Sequence, residues 1–175
     1  LNNLQHHNLF FDADFDQHAK EIYDNPKWPK NPLFYLSCPS ITDPSLAPKG
    51  NENLMFLIPL APGLEDTNEM REKYFDIVLK RLKDLTGNDI EKNIIFKKSY
   101  CVNDFEKDYN SFKGNAYGLA NTLRQTAVLK PRMRNKKIKN LYYTGQLTVP
   151  GPGVPPSIIS GQIAAIEIDK YLNKL

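Results

Sequence analysis

The chain has 175 residues, of which 41% are hydrophobic and 25% are charged, a balance that is typical of a globular protein and not of a disordered one. This length suffices for one domain with its own core, or for pieces of two. The net charge of +3 is too small to indicate nucleic-acid binding, and no apolar run approaches the ~20 residues of a membrane-spanning helix.

The chain begins at Leu1 instead of Met, and its first residues are neither basic nor apolar enough for a secretory signal. We therefore expect part of a longer gene product that stays in the cytoplasm. The two cysteines, Cys38 and Cys101, lack the spacing of a metal site. A pair of buried reduced thiols is favoured for a reducing compartment, although a disulfide remains open.

The first third of the chain predicts a small sheet. Strands are expected at residues 7–11, 33–38 and 54–58, and a weak helix at residues 14–24. The continuous apolar run at 54–58 predicts a strand buried on both faces, and the strands at 33–38 and 54–58 are expected to pair antiparallel.

One long helix is predicted between Asp66, as its N-cap with Glu69 as capping-box partner, and Gly87, which ends it. Its apolar residues recur at spacings of three and four and form one stripe. They are Met70, Tyr74, Ile77, Val78, Leu82 and Leu85.

Two shorter elements and a loop are expected to follow. A third strand is predicted at residues 94–96, and a short helix at 103–109 with Asn103 and Glu106 as cap and box partner. Residues 111–126 are rich in Gly, Asn, Ser and Thr and favour a binding loop.

The last third carries the chemistry. A strand is predicted at residues 141–144, then a turn of Pro and Gly, then an apolar and therefore buried helix from Pro155 or Pro156 to Leu172. Free N–H groups and the helix dipole make such a turn compatible with an anion, while a purely structural role for it stays open. A dinucleotide fingerprint is incomplete, because Gly151 and Gly153 are followed by Pro156 where the third glycine belongs.

Residues 141–165 resemble the C-terminal flavin motif of bacterial phytoene desaturases, within the amine-oxidase-like flavoprotein superfamily. The loop at residues 42–50, TDPSLAPKG, and residues 105–118 also resemble this family. The resemblance implies a mixed α/β fold, the C-terminal portion of a two-domain enzyme whose cofactor is FAD. It assigns residues 1–130 to the substrate-binding domain, and residues 131–175 to the last strand and helix of a Rossmann-like FAD domain.

The same resemblance places several residues beside FAD. Gly145 and Gln146 are expected near the ribityl–pyrophosphate part, although many relatives carry an acidic residue where Gln146 stands. The isoalloxazine is expected next to Gly153, Val154, Pro155 and Pro156, with the helix N-terminus aimed at the N1/C2=O edge, where fixed dipoles stabilise negative charge.

The implied reaction removes a hydride and a proton from a C–C single bond of a long polyene. No catalytic base is assigned. His6 and His7 are weighed as candidates, and a structural role is favoured for both. Tyr117 and Arg124 are the candidate substrate contacts. Five aromatic residues could line a substrate tunnel or pack in the core: Trp28, Phe34, Tyr35, Phe56 and Phe112.

Three alternatives for the function remain. They are another carotenoid oxidoreductase such as an isomerase, a flavin amine oxidase, and a non-catalytic interaction domain. The turn has no aromatic cage for an amine, which counts against the amine oxidase.

A basic run completes the interpretation. It comprises Lys130, Arg132, Arg134, Lys136, Lys137 and Lys139. A solvated loop is favoured for it, and the hypothesis beside that is contact with anionic lipid headgroups, which predicts peripheral association with a membrane surface. The other expected partners are a carotenoid substrate and the missing N-terminal part of the same enzyme. No metal or nucleic acid is expected.

Overall fold

A computed structural model describes residues 1–120, 122–126 and 129–173. The chain divides into two compact units, residues 1–114 and residues 115–175. Within the described ranges, no helix is both long and apolar enough to cross a membrane.

The first unit contains a three-stranded antiparallel sheet in the order β1-β2-β3. Its strands are β1 (His7–Phe10), β2 (Phe34–Ser37) and β3 (Met55–Leu57). Phe10 pairs with Phe34, and Leu36 pairs with Phe56. The three predicted strands and the antiparallel pairing of the last two are therefore confirmed, with slightly shorter bounds.

One face of this sheet forms the core. Because side chains alternate along a strand, Phe10, Phe34, Leu36 and Phe56 point to the same side, where they share a hydrophobic cluster with Val78 and Leu82. The rings of Phe10 and Phe34 stack with centroids 4.3 Å apart.

The prediction that β3 is buried on both faces is wrong. Its outer side chains, Met55 and Leu57, are exposed, because the hydrophobic cluster covers only the face that carries Phe56.

Helix α1 (Phe15–Tyr23) confirms the weak helical signal, and Asp14 caps it by accepting a hydrogen bond from the Gln17 amide. His18 fastens this helix to the unit. Its Nδ1 accepts from the Leu33 amide at 3.1 Å, so Nε2 donates to the Pro59 carbonyl at 3.0 Å.

Helix α2 (Asn68–Thr86) is capped by Thr67, whose hydroxyl accepts from the Met70 amide, so the prediction of Asp66 as cap is wrong. Asp66 instead accepts from Arg71, and this hydrogen bond lowers the pKa of its carboxyl below the ordinary value. The prediction that Gly87 ends the helix is confirmed, because its φ of +79° is the left-handed conformation of a C-terminal glycine.

The predicted third strand at residues 94–96 does not form. Ile95 is 83% exposed and Phe96 is 80% exposed, and within the described ranges neither residue belongs to a strand. A β-prone segment needs a neighbour to pair with, and the described part of this unit supplies none at that place.

Helix α3 (Val102–Tyr109) begins after Cys101. The Asp104 carboxylate accepts from the Cys101 amide at 2.8 Å, so the predicted pairing of Asn103 with Glu106 is wrong. Asn103 lies inside the helix, where its amide donates to Asp66. Cys101 and Cys38 are free thiols, and burial raises the pKa of both.

The second unit contains a 3-10 turn (Leu123–Gln125), an isolated antiparallel bridge between Arg134 and Tyr142, and helix α4 (Val154–Leu172). The helix begins one residue before the predicted prolines and ends at the predicted residue. The predicted strand at residues 141–144 is reduced to the single bridge at Tyr142.

Helix α4 is not buried as its composition predicts. Its buried side chains are Ser160 and Ala164, while Ile158 is 63% exposed and Leu172 is 59% exposed. The helix is apolar nearly all round, but the described part of the second unit covers only one narrow face of it.

Candidate cofactor-binding turn

The segment before α4, which we call the glycine turn (residues 145–153), holds three glycines with positive φ. Gly145 has φ +98°, Gly151 +142° and Gly153 +109°. Side chains are strained in this region of backbone conformation, so these positions favour glycine.

Ser160 of α4 holds the start of the glycine turn. Its hydroxyl accepts a hydrogen bond from the Gly145 amide at 2.7 Å and donates to the Ser157 carbonyl at 2.6 Å. The Ser160 side chain is fully buried. Gly145 is therefore fixed against the first turns of the helix through one side chain.

Thr148 holds the carbonyl group of Gly145. The Thr148 amide and hydroxyl both donate to the Gly145 carbonyl at 3.3 Å, and Thr148 is buried. The bend after Gly145 is thus formed by contacts within the chain.

The glycine turn leaves space and hydrogen-bond donors for a ligand. A side chain built at Gly145 would meet no atom within 4 Å. The main-chain N–H groups of Gln146, Gly153 and Val154 donate to no acceptor in the described ranges, and the first turn of α4 has no acidic residue.

The helix start offers fewer donors than an ordinary N-terminus. Pro155 and Pro156 have no N–H, and the Ser157 amide donates to the Gly153 carbonyl at 3.0 Å. At the helix start itself, the amides that donate to no acceptor in the described ranges are therefore those of Gly153 and Val154, and Val154 is 74% exposed. That such amides face a ligand stays a prediction.

The candidate substrate residue Tyr117 lies close to the glycine turn. The side-chain amide of Gln146 donates to the Ala116 carbonyl at 3.1 Å. A side chain at Gly118 would overlap Leu147, because the Leu147 Cδ2 atom is 2.1 Å from its Cβ position. Residues 116–118 thus pack against Gln146 and Leu147. The Tyr117 side chain is exposed next to these two residues.

Arg124, the other candidate, lies in the 3-10 turn and is exposed. Ala127 and Val128, near the end of the predicted binding loop at 111–126, and Asn121 within that loop lie outside the described residues.

The five aromatic candidates divide by environment. Phe34 and Phe56 belong to the core of the first unit, and the Trp28 indole donates to the Glu65 carbonyl while packing on Tyr74. Tyr35 is half-buried and Phe112 is exposed. His7 accepts from or donates to the Tyr35 hydroxyl at 2.6 Å, and His6 pairs likewise with Thr42 at 2.7 Å.

The basic run is solvated except at its first member. Lys130 is buried, whereas Arg132, Lys136, Lys137 and Lys139 are exposed. Arg134 is exposed as well, with its guanidinium 4.6 Å from the ring centroid of Tyr171. Sequence reasoning missed the burial of Lys130 and the hydrogen bonds of Ser160. The one signal for Ser160 was a hydroxyl residue within an apolar helix.

The residues of the glycine turn fit FAD. The open side of Gly145, the unsatisfied amides and the absence of acidic residues in the first turn of α4 are what a negatively charged, flat cofactor requires. Together with the small sheet of the first unit, they define a mixed α/β protein with an anion-compatible glycine turn.

Comparison with known proteins makes the relationship specific. The chain is 47% identical over 162 residues to a carotenoid 3,4-desaturase of Haloarcula japonica, which is 93% of this chain and 33% of that protein. It is 34% identical over 168 residues to a 4,4'-diapophytoene desaturase of Staphylococcus haemolyticus, with 93% and 33% covered. It is also 31% identical over 169 residues to a 4,4'-diaponeurosporene oxygenase of the same species, with 95% and 34% covered.

No family model matches the chain. The similarity to curated proteins nevertheless extends over nearly all of its residues, and these relatives are named as carotenoid and diapophytoene desaturases. The chain spans about a third of the length of these relatives.

Proposed function

We propose that this chain is the C-terminal part of an FAD-dependent carotenoid desaturase, an oxidoreductase that acts on CH–CH bonds of a long polyene in carotenoid biosynthesis. The single observation that carries the proposal is the glycine turn, whose open side and free amides suit FAD, in a chain 47% identical to a carotenoid desaturase. Residues 131–175 would belong to the FAD domain and residues 1–130 to the substrate domain.

Each cofactor residue has a proposed task. Gly145 leaves room for the ribityl–pyrophosphate part, and Gln146 offers its amide and its side-chain carbonyl to phosphate or hydroxyl groups. Gly153 and Val154 donate main-chain N–H groups to the ring, while Pro155 and Pro156 fix the direction in which the helix begins. When bound, FAD supplies the hydride acceptor.

The substrate side is proposed for Tyr117 and Arg124. Tyr117 is presented next to Gln146 by the contact of Gln146 with Ala116, so an exposed aromatic ring stands beside the proposed cofactor residues. An apolar polyene suits such a ring, because burying aromatic surface is favourable and requires no charge partner.

The experiment that tests the proposal replaces Val154 in the complete polypeptide, meaning this chain joined to the segment that completes the length of its relatives. An aspartate at a first helical position favours the helix through its dipole, so Val154→Asp should fold. Its negative charge would oppose an anionic cofactor, and we expect the FAD retained after gel filtration to fall about tenfold or more.

The matched control is Val154→Asn, which has similar size and no charge and should retain FAD at the wild-type level. Full FAD occupancy in Val154→Asp, measured by visible absorbance with unchanged far-UV circular dichroism, would contradict the proposal. A wild-type polypeptide without flavin absorbance would do so directly.

A second reaction on the same substrate class is a distinct candidate, because one relative at 31% identity is named an oxygenase. The higher identity to a desaturase favours CH–CH oxidation. Products formed from an acyclic carotenoid precursor distinguish the two, since an inserted oxygen adds 16 mass units and a new double bond removes two hydrogens.

We also propose a cytoplasmic enzyme that associates peripherally with membranes through the exposed part of the basic run. Its exposed members are Arg132, Arg134, Lys136, Lys137 and Lys139. Each contributes ~1 kcal/mol near an anionic surface. Unchanged co-sedimentation with phosphatidylserine vesicles after reversal of Lys136, Lys137 and Lys139 to Glu would rule this out.

A further inference from the structure

Residues 94–99, which we call the open segment, connect the 3-10 turn Glu91–Asn93 to helix α3 without joining a sheet in the described ranges. Their main-chain N–H and C=O groups make no main-chain hydrogen bond there. Two large apolar side chains of the segment, Ile95 and Phe96, are largely exposed. A row of open main-chain groups beside exposed apolar side chains is what an unpaired edge strand presents to another strand.

The open segment is held along helix α2 by side chains. The Lys97 ammonium group pairs with Glu72 and lies 4.3 Å from the ring centroid of Phe75. The Ser99 hydroxyl accepts a hydrogen bond from Arg71 at 3.2 Å. Residues two apart lie on the same side of an extended chain, so these contacts at positions 97 and 99 fit a strand-like segment fixed along α2.

The backbone at both ends of the open segment is extended. Ile94 has φ −74° and ψ 115°, and Cys101, just beyond the segment, has φ −146° and ψ −161°. None of the residues between them has a positive φ. Pairing with another strand would therefore need little rearrangement of this backbone.

Charge argues against a second copy of the chain as the pairing strand. An antiparallel self-pair centred on Ile95 would place Lys92 opposite Lys98, and like charges directly opposite each other destabilise a sheet. The chain spans about a third of its relatives' length, so a polypeptide of their full length has ample sequence for a different strand.

We propose that the open segment is a docking edge for a β-strand from the part of the polypeptide that completes the length of the relatives. That strand is apolar opposite Ile95 and Phe96 and neutral or acidic opposite Lys98, and its main chain supplies the missing hydrogen-bond partners. The inference rests on the proposed function only in treating this chain as part of a longer polypeptide, since FAD has no role in it.

The test measures amide hydrogen exchange in the complete polypeptide, resolved to the residues of the open segment. We expect its main-chain amides to exchange about 100-fold or more slowly than in an unfolded chain, because strand pairing protects them. The slowing should be independent of protein concentration and should not require lipid.

Proline and alanine variants separate main-chain pairing from burial of side chains. Consecutive amides of a strand point to opposite edges, so one of Ile95→Pro and Phe96→Pro removes a donor to the docked strand. We expect at least one of them to accelerate exchange of the remaining amides by about tenfold or more. The matched controls Ile95→Ala and Phe96→Ala keep the N–H group and should stay closer to the wild-type rates.

Several results would overturn the inference. They are free exchange of the open segment in the wild-type polypeptide, and equal acceleration by the proline and alanine variants, which would indicate side-chain cover alone. Slowing that is lost on dilution would indicate a second copy, and slowing that appears only with phosphatidylserine vesicles would indicate a membrane contact. A polypeptide that shows the expected exchange but has no flavin absorbance would overturn the proposed cofactor and support the docking edge.

Discussion

Ser160 shows how one small side chain determines the shape of the glycine turn. Its hydroxyl uses one lone pair for the Gly145 amide and its proton for the Ser157 carbonyl, and it is fully buried. An alanine there would be tolerated by the helix, but it would leave the Gly145 amide without its acceptor. The cost of such an unsatisfied donor exceeds the net gain of an average hydrogen bond.

We predict that Ser160→Ala lowers the free energy of unfolding by about 1–3 kcal/mol and weakens FAD retention, because Gly145 loses its anchor. The control is Gln162→Ala on the same helix, whose exposed side chain should change stability by less than about 0.5 kcal/mol. Urea denaturation of the complete polypeptide measures both. Equal midpoints for the two variants would show that the Ser160 hydroxyl does not hold the turn.

Elements with local signals were predictable from the sequence, and elements that depend on partners were not. The long helix could be foreseen from its apolar stripe and from Gly87, since both signals lie within the helix. Its N-cap was predicted wrongly because Asp66 and Thr67 are adjacent and both residue types can cap a helix. In the structure, the Asp66 carboxylate accepts hydrogen bonds from Arg71 instead.

The segments at 94–96 and 141–144 have the composition of strands, yet strand formation depends on a pairing neighbour that composition does not reveal. The predicted double burial of β3 failed for a related reason, because the packing that covers one face of the sheet and leaves the other exposed depends on the tertiary structure. In the candidate turn, the positions of the glycines and the helix start could be foreseen. The hydrogen bonds of Ser160 and the closeness of Lys130 to Gly151 could not be foreseen, because they join residues that only the folded chain brings together.

Helix α2 offers a matched test of the core. Leu82 is fully buried in the cluster with Phe34 and Leu36, whereas Leu85, a member of the same predicted stripe, is 52% exposed. We expect Leu82→Ala to cost about 2–5 kcal/mol through lost burial and a residual cavity.

Leu85→Ala has the same chemistry on the same helix and should cost less than about 1 kcal/mol. Thermal and urea unfolding of the complete polypeptide provide the comparison. If both variants lost equal stability, the described core would be wrong.

At the scale of the whole molecule, several large apolar side chains of the described residues are exposed in each of the two units. Ile95, Phe96, Ile158 and Leu172 are largely exposed, and soluble monomers rarely show such surface in extended patches. The chain spans about a third of its relatives' length, and we propose that a polypeptide with the full length of those relatives would cover these side chains.

We predict that the 175-residue chain, expressed by itself, binds the dye ANS strongly, self-associates and retains no FAD, because its apolar helix and β-prone segments are uncovered. The complete polypeptide should bind little ANS and should be yellow. Analytical ultracentrifugation with ANS fluorescence measures the difference. A monomeric, ANS-silent 175-residue chain would mean that the surface needs no cover.

The bonds of Ser160 and Thr148 to Gly145 have a consequence for the energetics of cofactor capture. The bend is formed by contacts inside residues 144–160. Its backbone conformational entropy is therefore lost when the polypeptide folds. A ligand that bound there would meet a bend that these hydrogen bonds already hold, so less of its association free energy would be lost to ordering the loop.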